Sequence, residues 1–340
     1  MVTWDRILVI RFSSIGDIIL TTPVLENLGR IHPDSDIHYL TLEGFSGILE
    51  GNPHVSRIIR LDKGADVARL RHLSRRLRET GYTVFIDCHN SLRSRILRRF
   101  LKGQTWFIYR KPRLDRFLLF NLHLNRFPDD FDIPSEYIRL LDPGEGKMPE
   151  ARPKVYISDA EKRRCQRRLE ELGVGDPFIA LIPGASWETK VWTTPGYVET
   201  ANALIGEEGI SVVVLGGGKD AVCDEISRAV PAAVNLKGKT SLRESLAVLS
   251  CARAAVGGDT GFTHGAEAVG TPVVMLVGPT GPETGARVRH PRSETISSRP
   301  WCQPCSKDGS RPCYREERVC MGDIHPDEVL SSLKRVMARA

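Results

Sequence analysis

Short, uninterrupted apolar runs punctuate this chain, and each leads through a turn into a stretch with helical spacing. Ile7-Leu8-Val9-Ile10 is the first, and Val84-Phe85-Ile86, Phe178 to Ile182, Ser211 to Leu215, Ala254-Ala255-Val256 and Val273 to Val277 follow. Such runs fit strands buried on both faces, as in a parallel sheet covered by helices. A strand with one wet face would alternate apolar and polar residues instead. Residues 37–40 and 57–61 read as further strands. Segments 18–32, 66–80, 91–102, 159–172, 195–208, 220–229 and 325–340 read as helices, with Ser241 a plausible N-cap for another. Strand alternating with helix predicts a doubly wound α/β sheet.

The alternation stops at 128–153, where PDDFDIP and DPGEGKMPEARP are rich in Pro, Gly and Asp, and then restarts. A chain of 340 residues accommodates two domains. The expected boundaries are 1–155 for an N-terminal Rossmann-like domain and 156–325 for a C-terminal one, with 326–340 a closing helix. Ligands of open parallel sheets lie beyond the carboxyl ends of the strands. Two such domains are expected to face each other across a cleft.

No apolar run approaches the roughly 20 residues of a membrane-spanning helix. The start, MVTWDRILVIRF, lacks the apolar stretch of a secretory signal, so a cytoplasmic chain is expected. The net charge is +6, and much of the basic excess falls in the first half, as in RLRHLSRRLR at 69–78. No nucleic-acid module accompanies it, so no nucleic-acid partner is expected. An acidic substrate, an anionic membrane surface or a set of solvated helix faces would each account for it.

Three turns of the second half follow strands directly: Pro183-Gly184-Ala185-Ser186 with Lys190 beyond it, Gly216-Gly217-Gly218-Lys219-Asp220, and Gly258-Asp259-Thr260-Gly261 leading to His264. Each offers close backbone approach or helix N-terminal N–H groups, which attract anions. Tight packing would explain any one of them. Together, with a Lys and a Thr, they point to a diphosphate site. Neither a Walker motif nor G-x-G-x-x-G after the first strand is present, which argues against an ATPase and a dehydrogenase. In the first half, Ser13-Ser14-Ile15-Gly16-Asp17 follows strand one. Asp17 there suits a general base toward a hydroxyl, or simply a helix cap. Asp34-Ser35-Asp36 is formally D-x-D but precedes a strand, and reads as a solvated turn.

RFSSIGDIILTTPVL at 11–25, PGASWETKVW at 183–192 and GDTGFTHGAEAVGTPVVMLVGPT at 258–280 resemble glycosyltransferase family 9, the ADP-heptose–lipopolysaccharide heptosyltransferases. The likeness runs in order over almost the whole chain and is weakest at about 103–155. It implies a GT-B fold of two Rossmann-like domains, and an inverting transfer that needs no catalytic cofactor or metal. It also implies an ADP-heptose donor, an anionic lipopolysaccharide core acceptor, and work at the cytoplasmic face of the inner membrane. Matched by position, Asp17 takes the place of the catalytic base and Lys190 that of the lysine at the donor phosphates. Ser186, Asp220, Thr240, Asp259, Thr260, Gly261 and His264 fall at donor positions. Ala185 departs from members with Thr there, and Asp220 stands where some members carry a longer Glu. Ser14 and Gly16 fall beside the acceptor, and Arg93 and Arg95 suit its anionic groups. Another nucleotide sugar as donor, or a non-catalytic nucleotide-sugar-binding protein, are the competing readings.

Cys302, Cys305, Cys313 and Cys320 form C-x2-C-x7-C-x6-C. In a reducing compartment such a pattern suits a structural zinc or iron, or free thiols, ahead of disulfides; the spacing matches no standard zinc module. Cys88, Cys165, Cys223 and Cys251 read as free thiols.

Overall fold

A computed structural model of the chain describes residues 3–141 and 151–338. The middle of the expected connection, 142–150, lies outside the described residues. The chain divides into two compact units, Met1–Lys111 with Asp132–Tyr156, and Pro112–Phe131 with Ile157–Ala340. Residues 112–131 therefore pack with the second unit.

In chain order the first unit contains β1 (Arg6–Ile10), α1 (Ile15–Ile19), α2 (Thr22–Ile31), β2 (Asp36–Leu42), β3 (Arg57–Leu61), α3 (Val67–Thr80), β4 (Val84–Asp87), α4 (Leu92–Phe100) and β5 (Thr105–Ile108). Next comes α5 (Arg113–Leu122), which packs with the second unit, and then α6 (Ile133–Ile138), which returns to the first. All pairings are parallel, in the order β3-β2-β1-β4-β5, with Ile7 opposite both Ile37 and Val84. Leu8, Ile10, Leu40 and Phe85 are buried in one core cluster, as the uninterrupted runs require. Burying each such side chain contributes roughly 1.5–3 kcal/mol.

The second unit continues with α7 (Asp159–Glu171), β6 (Phe178–Ile182), α8 (Thr194–Gly206), β7 (Ser211–Val214), α9 (Ala221–Ala229), β8 (Val234–Asn235), α10 (Leu242–Cys251) and β9 (Ala254–Gly258). It ends with α11 (Gly261–Ala268), β10 (Val273–Leu276), β11 (Glu294–Ile296), α12 (Val319–Gly322) and α13 (Pro326–Ala338). Its sheet is also parallel, in the order β11-β10-β9-β6-β7-β8. Val329, Leu333 and Val336 of α13 are fully buried in its core.

The two orders share one logic. Each sheet grows from a central strand to one side, then returns and grows to the other. The direction reverses between β1 and β4 in the first unit and between β6 and β9 in the second. Connections leaving such neighbouring strands part in opposite directions and open a crevice at their carboxyl ends. The segments that carry Asp17, Lys190 and Asp259 follow three of these four strands, β1, β6 and β9.

The structure departs from the sequence expectations in several places. Segment 18–32 is two helices, not one. The Thr21 and Thr22 hydroxyls donate back to the Ile18 and Ile19 carbonyls, each at 2.7 Å, and Pro23 has no N–H to continue the ladder. Asp36 is no solvated turn residue: it opens β2, paired with Arg6 at 2.9 Å and near His38 at 3.1 Å. Strands β5 and β11 and helices α5, α6 and α12 lie where the sequence pattern shows no element. No helix of the described residues is long and apolar enough to cross a membrane.

Candidate active site

In the first unit the turn after β1 is built around one buried cation. Arg11, 4% exposed, donates to the carbonyls of Ser13 at 2.9 Å and Cys88 at 2.7 Å and to the Tyr137 hydroxyl at 2.9 Å. Its remaining terminal nitrogen meets Asp17 Oδ1 at 2.6 Å. The other carboxylate oxygen, Oδ2, accepts from the Ser14 N–H at 3.1 Å and the Ser14 hydroxyl at 2.8 Å. The cap reading of Asp17 is what the geometry displays, with one side of the carboxylate left open. Asp17 reaches back to the N-cap of α1, and 40% of its side chain stays open to solvent. Desolvation would push its carboxyl up; Arg11 and the Ser14 donors outweigh that and hold it down at about 2. Desolvation likewise opposes the Arg11 charge, and the neighbouring Asp17 carboxylate more than restores it. Gly16 is buried within α1.

The turn after β4, across the crevice of the same sheet, carries His89. Its Nδ1 accepts the Phe12 N–H at 3.1 Å. Burial, then the charges of Arg11 and Lys111, lower this imidazole to about 3, so it stays neutral beside Asp17. Arg93 and Arg95 open α4 just beyond. The Arg93 guanidinium donates to the Lys63 carbonyl at 2.5 Å and Arg95 Nε to Asn90 Oδ1 at 3.3 Å, neither to a carboxylate. Arg11 and His89 escaped the sequence reading. Arg11 opens the 11–25 motif, but its burial and its partners Cys88 and Tyr137 are set by the fold, and His89 is near Asp17 only through the β1–β4 pairing.

In the second unit the centre is Asp259, 9% exposed. Its Oδ2 meets Lys190 Nζ at 2.6 Å and accepts from the Thr280 hydroxyl at 2.9 Å, and its Oδ1 meets His264 Nε2 at 3.2 Å. Burial works to raise this carboxyl, but Lys190 and His264 hold it far below the usual carboxylate range. The glycines beside it serve this packing directly. A methyl group on Gly258 would lie 2.6 Å from the Lys190 carbonyl oxygen, and one on Gly309 2.7 Å from the Lys190 side chain. The Lys190 segment is thus wedged between β9 and the loop of the cysteine quartet.

Thr260 is the N-cap of α11, its hydroxyl 3.1 Å from that of Thr263, and Gly261 is the first helical residue. Ser186 lies exposed on the loop after β6. Asp220 caps α9 and packs on Gly184, with its Oδ2 accepting the Gly217 N–H at 2.7 Å. The turns after β6 and β7 therefore interlock. Thr240 lies farther along, its hydroxyl 2.8 Å from that of Ser245, lining a pocket of about 110 Å³ with Arg243 and Ala247.

The four cysteines of the quartet form no disulfide among the described residues. Their thiols are near neighbours: burial, then Cys302 and Cys313, raise Cys305, and burial, then Cys305, raise Cys320. Yet among the described residues no three His, Cys, Asp or Glu are placed to hold a metal ion. Hydrogen bonds to the strand-end loop 277–280 hold the segment in place. The N–H groups of Cys305 and Ser306 share the Pro279 carbonyl at 3.0 Å, and the Gln303 amide donates to Val277 and Thr280 carbonyls at 3.3 Å.

Residues 70–314 match the family model described as glycosyltransferase family 9 (heptosyltransferase). The chain is 28% identical to lipopolysaccharide heptosyltransferase 1 of Pseudomonas aeruginosa, over 98% of each chain. Among solved structures it resembles the glycosyl transferase family 9 protein of Veillonella parvula, with a TM-score of 0.79, 20% identity and coverage of 99% of this chain and 98% of that one. It also resembles the Escherichia coli ADP-heptose lps heptosyltransferase II, with a TM-score of 0.74, 24% identity and coverage of 98% and 99%. The fold of both units is that of the GT-B heptosyltransferases. A carboxylate at one switch point, a Lys–Asp–His cluster at the other and a family match over most of the length lead to one conclusion: the chain belongs to glycosyltransferase family 9 and is a glycosyltransferase.

Proposed function

We propose that this enzyme transfers heptose from ADP-heptose to the inner core of a lipopolysaccharide, with inversion at the anomeric carbon. The observation that carries the reading is the state of Asp17: ionised across the working pH range, fixed through both oxygens, and open on one side. A side chain meant only to cap α1 has no need of a buried arginine behind it.

The first unit is assigned the acceptor and the second the donor. The acceptor hydroxyl oxygen bonds to the anomeric carbon as the bond from that carbon to the ADP oxygen breaks. The proton of the hydroxyl passes to Asp17, and ADP leaves with the electron pair. A carboxylate held near 2 is a weak base toward a resting alcohol. It becomes competent late in the step, when bond formation has made the hydroxyl proton strongly acidic. His89, neutral and adjacent, lets Asp17 keep its single clamp without a second cation. Ser14 and Gly16 shape the acceptor side of the turn, and Arg93 and Arg95 offer guanidinium donors to its carboxylates or phosphates.

On the donor side, Lys190, Ser186, Thr260 and the N–H groups that open α11 from Gly261 onward are assigned to the diphosphate. Positive charge from Lys190 and the helix terminus would balance the departing ADP, so the step is metal-independent. Asp259 and His264 hold Lys190 in place; Asp220 and Thr240 are assigned to the ribose and base end. The place of work is the cytoplasmic face of the inner membrane, where the acceptor lipid lies.

The test is transfer from ADP-heptose to truncated lipopolysaccharide cores, read as ADP release together with the mass of the product. ADP-glucose run in parallel separates the readings. Faster transfer from another ADP-sugar would replace heptose as the donor, and tight ADP-heptose binding without transfer to any core would leave a binding protein.

A further inference from the structure

We propose that the second unit carries a lipid-docking site, a basic pocket with exposed apolar side chains on its flanking segments, that receives the phosphate of an anionic membrane lipid. The pocket has a volume of about 240 Å³ and lies between α5 and the loop 306–311. Arg113, Arg116, Lys307 and Arg311 line it. Only one of the four has a carboxylate partner among the described residues: Lys307 lies 3.8 Å from Asp308. The Nε of Arg116 is buried and unpaired. Like charges gathered with a single counter-ion among them are unfavourable, and an anion in the pocket relieves that cost.

The pocket is built, not a chance gathering of flexible ends. Arg311 donates to the Phe120 carbonyl and to Asn121 Oδ1, each at 2.8 Å, and so ties the loop to the end of α5. The rim then identifies the source of the anion. Eleven large hydrophobic side chains are markedly exposed in the described residues, and six lie on α5 or within a few residues of it or of the loop: Leu114, Phe117 and Leu122 on α5, Leu124 just beyond it, and Trp301 and Tyr314 on either side of 306–311. Trp301, 73% exposed, lies near His123 at 6.2 Å between ring centroids and near Tyr314 at 6.3 Å, joining the two segments in one patch. A soluble phosphate needs the cations but not the apolar rim. A bilayer surface uses both, with cations at the headgroups and Leu, Phe, Trp and Tyr at the interface below. The proposal rests on the transferase reading only for why a bilayer matters to this enzyme; the docking itself is measured without turnover.

The experiment is co-sedimentation of the full chain with phosphatidylcholine vesicles, with and without phosphatidylglycerol. Binding is expected only with phosphatidylglycerol. The pair Arg113→Gln/Arg116→Gln should weaken it at least tenfold, given about fivefold per cation near an anionic surface. Phe117→Ser/Trp301→Ser should weaken vesicle binding severalfold and leave binding of inorganic phosphate unchanged. These positions are exposed or half-exposed, and unchanged thermal unfolding certifies each variant. Transfer to a water-soluble core acceptor should persist in all of them, so a docking failure is distinct from a failed donor or acceptor assignment. The proposal is overturned by equal binding to both vesicle types, by variants that bind as the parent does, or by phosphate binding without vesicle binding.

Discussion

Both units place a carboxylate just past a central strand, and the two are used in opposite ways. At Asp17 the cation is the hidden member: Arg11 is 4% exposed, while the Asp17 side chain is 40% exposed. At Asp259 the carboxylate is hidden too, 12% exposed by side chain, and Lys190 and His264 around it are at 14% and 8%. One carboxylate is presented by its partner; the other organises its partners. On the proposed mechanism the same fold element yields a reacting group in one unit and a scaffold in the other. What decides between them is which member of the ion pair is left open.

The largest test of this contrast is activity. Asp17→Asn should lower kcat/KM by about a hundredfold to ten-thousandfold, the range of a lost general base. It also leaves Arg11 buried with neutral acceptors only, so some stability will go with it. The double variant Arg11→Met/Asp17→Asn removes both charges and should recover that stability but not the activity. Recovered turnover in the double variant would mean that Asp17 only balances Arg11.

Asp259→Asn should act in the reverse proportion. It strands Lys190 in a mostly buried setting, a change that costs about 3–5 kcal/mol. The urea midpoint of the second unit should fall accordingly, and ADP affinity should drop because Lys190 is no longer held. An unchanged midpoint would show that Asp259 is not the organising group.

Arg11→Met alone tests the clamp. With Arg11 in place the Asp17 carboxyl is held down at about 2. Without it, burial remains and pushes the carboxyl up. The acidic limb of the kcat/KM profile should move to higher pH by about one to three units, as for a carboxylate that loses an adjacent arginine. Stability follows the same sign. A carboxyl depressed in the folded state stabilises above its unfolded pKa, and that contribution fades as pH falls toward 2. Acid titration of the fold should therefore be shallower in Arg11→Met. Identical profiles for parent and variant would remove Arg11 from the account of the base.

The apolar runs made the two sheets legible because a strand buried on both faces admits almost no polar residue. The loops that carry Asp17, Lys190 and Asp259 were legible through their motifs. Arg11, His89, Thr280 and Gly309 were not, because each acts through residues far along the chain: Arg11 through Tyr137, Thr280 through Asp259, Gly309 through Lys190. Strand β5, TWFI, lacked a long run, and α5 was hidden among the charges that precede it. The cysteine spacing left metal and free thiols open, because spacing along an irregular segment does not set where side chains point.

The smallest effect separates the two glycines that bracket Lys190. At Gly258 an added methyl would meet the Lys190 carbonyl at 2.6 Å, and backbone wedged against a sheet cannot swing aside. At Gly309 the same methyl meets the flexible stem of Lys190 at 2.7 Å, but the backbone sits at φ +89°, where an L side chain is strained. Gly258→Ala should therefore destabilise by about 1–3 kcal/mol, the range for overpacking, and raise the KM for the donor. Gly309→Ala should cost about 1–2 kcal/mol through its backbone and shift Lys190 less, because the side chain has other rotamers. Equal donor KM values for the two variants, measured alongside their melting temperatures, would mean that the position of the Lys190 backbone is not what the turn after β9 secures. A larger donor defect in Gly258→Ala would tie that turn to Lys190, and through it to the side of the reaction from which the diphosphate leaves.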